Sequence, residues 1–406
     1  MRRHVAQLLG GVSLSVAVFL STAGLVTADS PTNVGSPCQR VNQVKTVRIK
    51  NKSTQLVCVQ EGTRRVWRAR IGGSSGSSGA SGRHKFLNTT CTGSSDGRFT
   101  SKLTDLETLE VIVPPGVAAG WEIKPHGYVR IKGDRAAIYA PIDMELVQGA
   151  YYKEPPTFRA KTTYILHFAV GCEFAIFLDH ITDPVDRIKA ALNTAPNEDT
   201  RMDSFLAKPL SFRAGELIGY TIGAGPADSI RQWDFGYYSA SVTNVYVNQP
   251  RRSNPVPAWK QLHAVCGFDY FAEPLKSTYA RYFATHRGVL VPGAPCRSPN
   301  RDVAGTLAGS WYYKPDSTSI EPHVAIAIDL DGKSVIVAGL RQYVEIEASN
   351  PTLKDPANVT DRHCYYDSAN GRYYFFQFVD RTTVDMFEGS GSCPISPSGT
   401  KTRLYR

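Results

Sequence analysis

Eight cysteines constrain this chain more than any other feature: Cys38, Cys58, Cys91, Cys172, Cys266, Cys296, Cys364 and Cys393. All of them follow an apolar leader, their number is even, and no two stand in a C-x-x-C pair. Such a set in an exported chain predicts disulfides rather than thiol or zinc-ribbon chemistry. Proximity along the chain favours Cys38–Cys58, Cys91–Cys172, Cys266–Cys296 and Cys364–Cys393.

The leader supports the export half of that argument. Arg2, Arg3 and His4 give a positive start, Val5 to Val26 is apolar, and Val26-Thr27-Ala28 sets small residues at a cleavage point. Residues 1–28 are therefore expected to be a signal peptide. A retained anchor is the alternative, but three glycines and four Ser/Thr interrupt the stretch and no basic stop follows Ala28. No cysteine lies at the junction, which speaks against a lipid anchor. No transmembrane segment is expected after cleavage.

With 42% hydrophobic and 20% charged residues the composition is that of a globular protein, so collagen-like, coiled-coil and disordered readings fall away. Twenty Tyr and 17 Phe against four Met favour β structure. Loss of Arg2 and Arg3 lowers the net charge from +10 to +8, a balance suited to acidic wall polymers or anionic lipid. Nucleic acid is not an expected partner, because the basic residues are scattered and no zinc finger or RNP-type motif occurs.

Residues 36–70 read as a small β module. Val44, Val47 and Ile49 precede the Asn51-Lys52-Ser53 turn, and Leu56, Cys58, Val66 and Trp67 follow it. So short a unit needs a disulfide and a Trp as staples. Residues 71–85 carry a Gly/Ser linker, GGSSGSSGASG. Its Gly72-Gly73-Ser74-Ser75-Gly76 matches G-x-S-x-G without the strand and helix that a nucleophile elbow requires.

Residues 86–261 and 262–406 are read as two larger β domains. In the first, Leu109–Val113 is a strand. Tyr128–Ile131 and Ala136–Tyr139 flank the Lys132-Gly133-Asp134 turn and are expected to form a hairpin. Tyr164–Phe168 and Phe174–Leu178 flank Gly171-Cys172 as buried strands, and Pro184 to Ala191 reads as a short helix. In the second, Glu273 to Phe283 reads as a helix, followed by strands at 324–328, 334–337, 343–346, 373–378 and 383–387. Asp329-Leu330-Asp331-Gly332 reads as a hairpin turn. Gly309-Ser310-Trp311 is similar to the opening of the lipocalin barrel.

Two stretches resemble known families. Residues 36–70 resemble the small Cys-Cys-Trp modules of exported bacterial wall proteins through Cys38, Cys58-Val59, Gly62 and Trp67. Residues 120–240 resemble the M23 peptidases of the LytM or lysostaphin type. Ala137-Ile138-Tyr139-Ala140-Pro141 is similar to that family's p-V-y-A-p strand, and Leu178-Asp179-His180-Ile181 to its strand ending in histidine. Phe212 to Tyr220 with Gly223 is similar to v-x-a-G-e-x-I-G-y-x-G, a turn shared with lipoyl-type barrels. Arg231-Gln232-Trp233-Asp234-Phe235 falls where the family carries H-L-H-F.

The resemblance implies a lipoyl/M23-like β barrel and a zinc held by His, Asp and the second His of H-x-H. Three such ligands leave an open position for an activated water. His126 takes the first ligand's place and His180 that of the catalytic histidine. Arg130 stands where the ligand Asp belongs, and the H-x-H pair is Gln232 and Asp234. A remodelled metal site would gather His126, His180 and Asp234, with Asp143 or Glu145. In a site without metal, Asp234 would pair with Arg130 or Arg231. A lipoyl carrier is excluded by Asp143-Met144-Glu145, which lacks the lysine.

The expected fold is mainly β: a small disulfide-stapled module, an M23-like barrel and an antiparallel C-terminal β domain. The expected function is that of an exported bacterial envelope protein whose peptidase-derived barrel binds peptidoglycan or another envelope component without catalysis and without a cofactor. The alternative is a zinc-dependent wall endopeptidase. The aromatics Trp121, Trp233, Trp259, Tyr237 and Tyr238 are expected to pack in cores rather than form a sugar-binding face.

Overall fold

The computed structural model describes residues 44–49, 52–61, 64–69 and 81–406, except 121, 199–203, 226–229, 254–257, 316–322 and 341–343. The expected signal peptide, the 72–76 elbow match, Trp121 and the Cys38–Cys58 pairing lie outside the described residues. The chain divides into a unit over residues 1–72 and a second over 73–406. In the first, strands Val44–Ile49, Lys52–Glu61 and Arg64–Ala69 form an antiparallel meander.

The second unit holds two large antiparallel sheets. The first uses strands β1 (Leu109–Val113), β2 (Gly127–Ile131), β4 (Met144–Lys153), β5 (Thr162–Val170), β6 (Phe174–Ile181), β8 (Ser204–Phe212) and β10 (Gln232–Ser239). Their order is β8-β4-β5-β6-β10-β2-β1. A smaller sheet of β3 (Ala136–Tyr139), β9 (Leu217–Thr221) and β7 (Asp183–Pro184) runs in the order β3-β9-β7.

The hairpin expected at Lys132-Gly133-Asp134 is corrected by this topology. β2 pairs with β10 and β1, while β3 pairs with β9. Gly133, at φ 82°, turns the chain out of one sheet and into the other. Both strands are buried almost throughout, so each gains more apolar contact from separate sheets than from pairing as a two-stranded ribbon.

Alternation along the strands gives the large sheet two different faces. One carries Ile112, Val129, Leu166, Phe168, Ile176, Leu178, Trp233, Phe235 and Tyr237, all buried in the main core. The other carries Ala150, Tyr152, Ile165, Ala175, Phe177 and Tyr238 in a smaller cluster that becomes polar toward one end. The β5–β6 turn needs Gly171: its φ is 55°, and an added Cβ would stand 2.9 Å from the Ser95 amide nitrogen. The next residue, Cys172, is bonded to Cys91.

Of the two expected helices, the first spans Asp186–Ala191 and the second is shorter than expected, Leu275–Ala280. Pro274 occupies its N-cap, and i→i+3 bonds from the Arg281 and Tyr282 amides tighten its exit. This segment packs on the first core through Phe268, Phe271, Tyr279 and Phe283, and Cys266–Cys296 staples its ends.

The C-terminal sheet comprises β11 (Gly309–Tyr312), β12 (His323–Ile328), β13 (Val335–Ala338), β14 (Val344–Ile346), β15 (Arg362–Asp367), β16 (Arg372–Asp380), β17 (Thr383–Ser390) and β18 (Thr400–Tyr405). Its order is β14-β13-β12-β11-β18-β17-β16-β15, and the two edge strands approach each other to close the sheet nearly into a barrel. Alternate residues fill the inside: Trp311, Val324, Ile326, Val335, Val337, Tyr374, Phe376, Val384, Met386 and Leu404.

Three strands of this sheet, β11, β15 and β18, have no counterpart among those read from sequence. Trp311 of the Gly-x-Trp motif donates its indole N–H to the Leu307 carbonyl at 2.9 Å. The Arg406 guanidinium stacks on its ring at 4.1 Å. Cys364–Cys393 is formed, and Asp329–Ser334 is the β12–β13 turn. Three disulfides are those of a non-cytoplasmic, oxidising environment. No helix among the described residues is long and apolar enough to cross a membrane.

Candidate functional site

The polar end of the second sheet face is built around a bulge. Tyr164 pairs with Ile181 and Leu166 with Leu178, so Asp179 and His180 together oppose Ile165. In a regular strand these two side chains would point to opposite faces. His180 has φ 64°, the one positive value at a non-glycine residue among the described residues, and this turns both side chains toward the same place. Thr221 donates to the His180 carbonyl at 2.6 Å, fastening the bulge to β9. Left-handed backbone at a residue with a Cβ is strained, and strain of this kind concentrates at functional sites.

Register brings the remaining groups to the bulge. Asp234 on β10 pairs with Asp179 on one side and with Tyr128 on the other. His126, just before β2, places Nε2 3.1 Å from Asp234 Oδ2, and His180 Nε2 lies 3.7 Å from the same oxygen. Asp179, His180 and Asp234 each offer a donor atom within 4.8 Å of the others. The three expected residues, His126, His180 and Asp234, therefore do converge, with Asp234 between the two imidazoles. Their side chains are 13%, 18% and 9% exposed, enough to meet solvent at one edge.

Behind His180 lies a second layer. Its Nδ1 meets Glu154 Oε1 at 2.6 Å, and Thr163 donates to the same oxygen at 2.6 Å. Tyr152 OH stands 2.9 Å from Glu154 Oε1 and 2.8 Å from Asp179 Oδ1. A single phenolic proton serves only one of them, so both contacts are satisfied when one carboxyl carries a proton. Asp179 also accepts its neighbour's amide, His180 N–H, at 2.8 Å.

Charge follows from this crowding. Burial opposes the His180 cation, but Asp179, Asp234 and Glu154 outweigh it and push its pKa up to about 10. Burial and the Asp234 charge raise Asp179 to about 6, against the pull of His180. Asp234 is held below the usual carboxylate range: burial opposes this, and His126 and His180 prevail. Asp234 Oδ1 is fully buried and has no hydrogen-bond partner among the described residues.

Asp234 does not pair with Arg130 or Arg231. Arg231 instead meets Asp134 at 2.9 Å. Arg130, directly opposite Gln232 on the neighbouring strand, donates to Gln232 Oε1 at 3.2 Å and to the His286 carbonyl. Asp143 and Glu145 do not reach the cluster: Asp143 accepts the Ala214 amide and Glu145 the Ser211 hydroxyl. Asp179 and Glu154 stand in their place. Sequence reasoning missed both, although an acid beside His180 at the end of an otherwise apolar strand was a visible signal. The aromatics Trp233, Tyr237 and Tyr238 are buried core side chains.

The donor set can be judged against zinc. Ligand atoms about 2.0–2.1 Å from a tetrahedral zinc stand about 3.3 Å apart; His126 and His180 lie 3.1 and 3.7 Å from Asp234 Oδ2, but the set whose ligand atoms all lie within 4.8 Å of one another is Asp179, His180 and Asp234, without His126. The Glu154–His180 bond is the usual outer support of a metal-bound imidazole. The His, Asp, His set that the resemblance implies does not fit, because Arg130 stands at its second position. The chain matches no family model, curated protein or solved structure among those compared.

Proposed function

We propose that the chain is an exported bacterial envelope protein whose first large β domain derives from an M23-type peptidase barrel and binds peptidoglycan or another envelope component without cleaving it. The observation that carries this reading is the Arg130–Gln232 pair, seated where the resemblance puts one metal ligand and one catalytic imidazole. Asp234, at the place of the third ligand, lies between the His126 and His180 imidazoles, 3.1 and 3.7 Å from their Nε2 atoms. Such a centre offers a solvent-edged arrangement of imidazole and carboxylate that can hydrogen-bond amide and hydroxyl groups of a wall polymer. The leader, the disulfides and the basic net charge support the location.

The test is co-sedimentation with purified insoluble wall, run beside a wall-clearing assay. Retention without clearing is expected, with His126→Ala plus Asp234→Asn reducing retention. Absence of retention at low salt rejects wall binding.

A second reading is favoured by the unpartnered Asp234 Oδ1 and the compact Asp179, His180, Asp234 set. Here His180 and Asp234, with Asp179 or with a reoriented His126, hold a divalent ion of the zinc type, and the protein is a remodelled wall endopeptidase. When bound, the ion would supply Lewis acidity; the chain's own residues would hold it, with Glu154 fixing the His180 ring. Metal content of untagged protein separates the two readings. Stoichiometric zinc together with chelator-sensitive clearing that His180→Ala abolishes establishes the second.

A further inference from the structure

Between the 297–308 segment and the C-terminal sheet runs a cleft of about 350 Å³, within the range of small-ligand sites. Arg297, Ser298, Asn300 and Arg301 line one wall, Asp355 lines another, and Ala327, Ile328 and Ala357 supply apolar surface. Cys296, adjoining Arg297, is held by its disulfide to Cys266, which anchors the basic segment.

The two guanidiniums are poorly satisfied by the protein. Arg297 donates to the Ile328 and Leu330 carbonyls at 3.1 Å each, and Arg301 to the Ile328 carbonyl at 2.9 Å. Most of the five N–H groups on each have no protein acceptor among the described residues. Neither side chain forms an ion pair within 4.0 Å there; Asp329 and Asp355 act on them only from longer range. Burial, and then the neighbouring Arg297 charge, lower the pKa of Arg301 to about 10. Two guanidiniums facing one cleft, with the nearby acids beyond ion-pair distance, favour an anion between them, and the planar fork of arginine suits a carboxylate.

Asp355 narrows the choice. Its Oδ1 accepts the Ala357 amide at 2.9 Å, and its Oδ2 has no partner among the described residues. A carboxylate lining the same cleft repels a simple anion but accepts an ammonium group. We propose that this cleft binds a small zwitterion of the amino-acid class, its carboxylate on Arg297 and Arg301, its ammonium on Asp355 and its small apolar side chain against Ala327 and Ala357.

Calorimetric titration of the full chain at low salt with alanine, N-acetylalanine and inorganic phosphate tests this. Alanine is expected to bind more tightly than either other probe. R301Q should weaken alanine about tenfold or more, as loss of a charge-assisted bond does. D355N keeps the cap acceptor and should weaken alanine while leaving N-acetylalanine unchanged. Thermal midpoints check folding, and should R301Q fail to fold, R301K, which keeps the charge without the fork, is expected to weaken alanine several-fold. No saturable alanine binding, equal binding to R301Q, or phosphate or N-acetylalanine binding as tightly as alanine overturns the proposal.

Discussion

Replacing His180 by Gln removes the cation that three carboxylates share while leaving a side chain of similar reach. Its pKa in the folded protein, about 10, lies above the ordinary imidazole value of 6.5. A raised value means that the charge contributes fully below about pH 6.5 and loses its contribution as pH climbs through about 10. At pH 7 the interval still to be climbed to about 10 corresponds to about 4 kcal/mol. Partial exposure of the ring and proton uptake by Asp179 in the variant bring the expected loss to about 2–4 kcal/mol, in line with breaking a buried pair. Urea unfolding of both proteins, followed by tryptophan fluorescence, should show that penalty at pH 7 and less than about 1 kcal/mol at pH 10. A penalty that is equal at the two pH values, or larger at pH 10, refutes the electrostatic account of the cluster. The backbone supplies an internal control: at φ 64° His180→Gly should be at least as stable as His180→Ala, because only glycine occupies this region without strain.

Two more perturbations probe the scaffold. Arg406→Gln removes a buried guanidinium that stacks on Trp311 and donates to the Val303, Thr306 and Ala308 carbonyls; leaving those acceptors unpaired should cost about 2–4 kcal/mol, read as a lowered melting temperature. Replacing Cys91 and Cys172 by Ala opens a link across 81 residues, for which the chain-entropy relation gives about 4.5 kcal/mol; unchanged stability in chemical denaturation would show that the unfolded chain is not constrained there.

Strands with a continuous apolar run were legible before any fold was known. β1 coincides with the expected 109–113 strand, and β5 and β6 flank Gly171-Cys172 as read. β11, β15 and β18 were harder because their inward residues, Trp311, Tyr365 and Leu404, are each separated by polar or aromatic neighbours that carry no clear period. The error at β2 and β3 has a different origin: a turn signal states that the chain reverses, not which strand it will lie beside.

The candidate site shows the same division. His126, His180 and Asp234 are reached through the order of motifs that resembles the M23 family, with His126 just ahead of a strand and the other two in strands. Asp179 beside His180 is a local signal, whereas Glu154, and the exclusion of Asp143 and Glu145, depend on the bulge at His180 and on which strands lie side by side. Composition, cysteine number and apolar periodicity are properties of the chain as a string, and they set the β class and the stapling. Facing, pairing and burial of charge arise only when distant strands meet, because side-chain direction flips with every one-residue change of register.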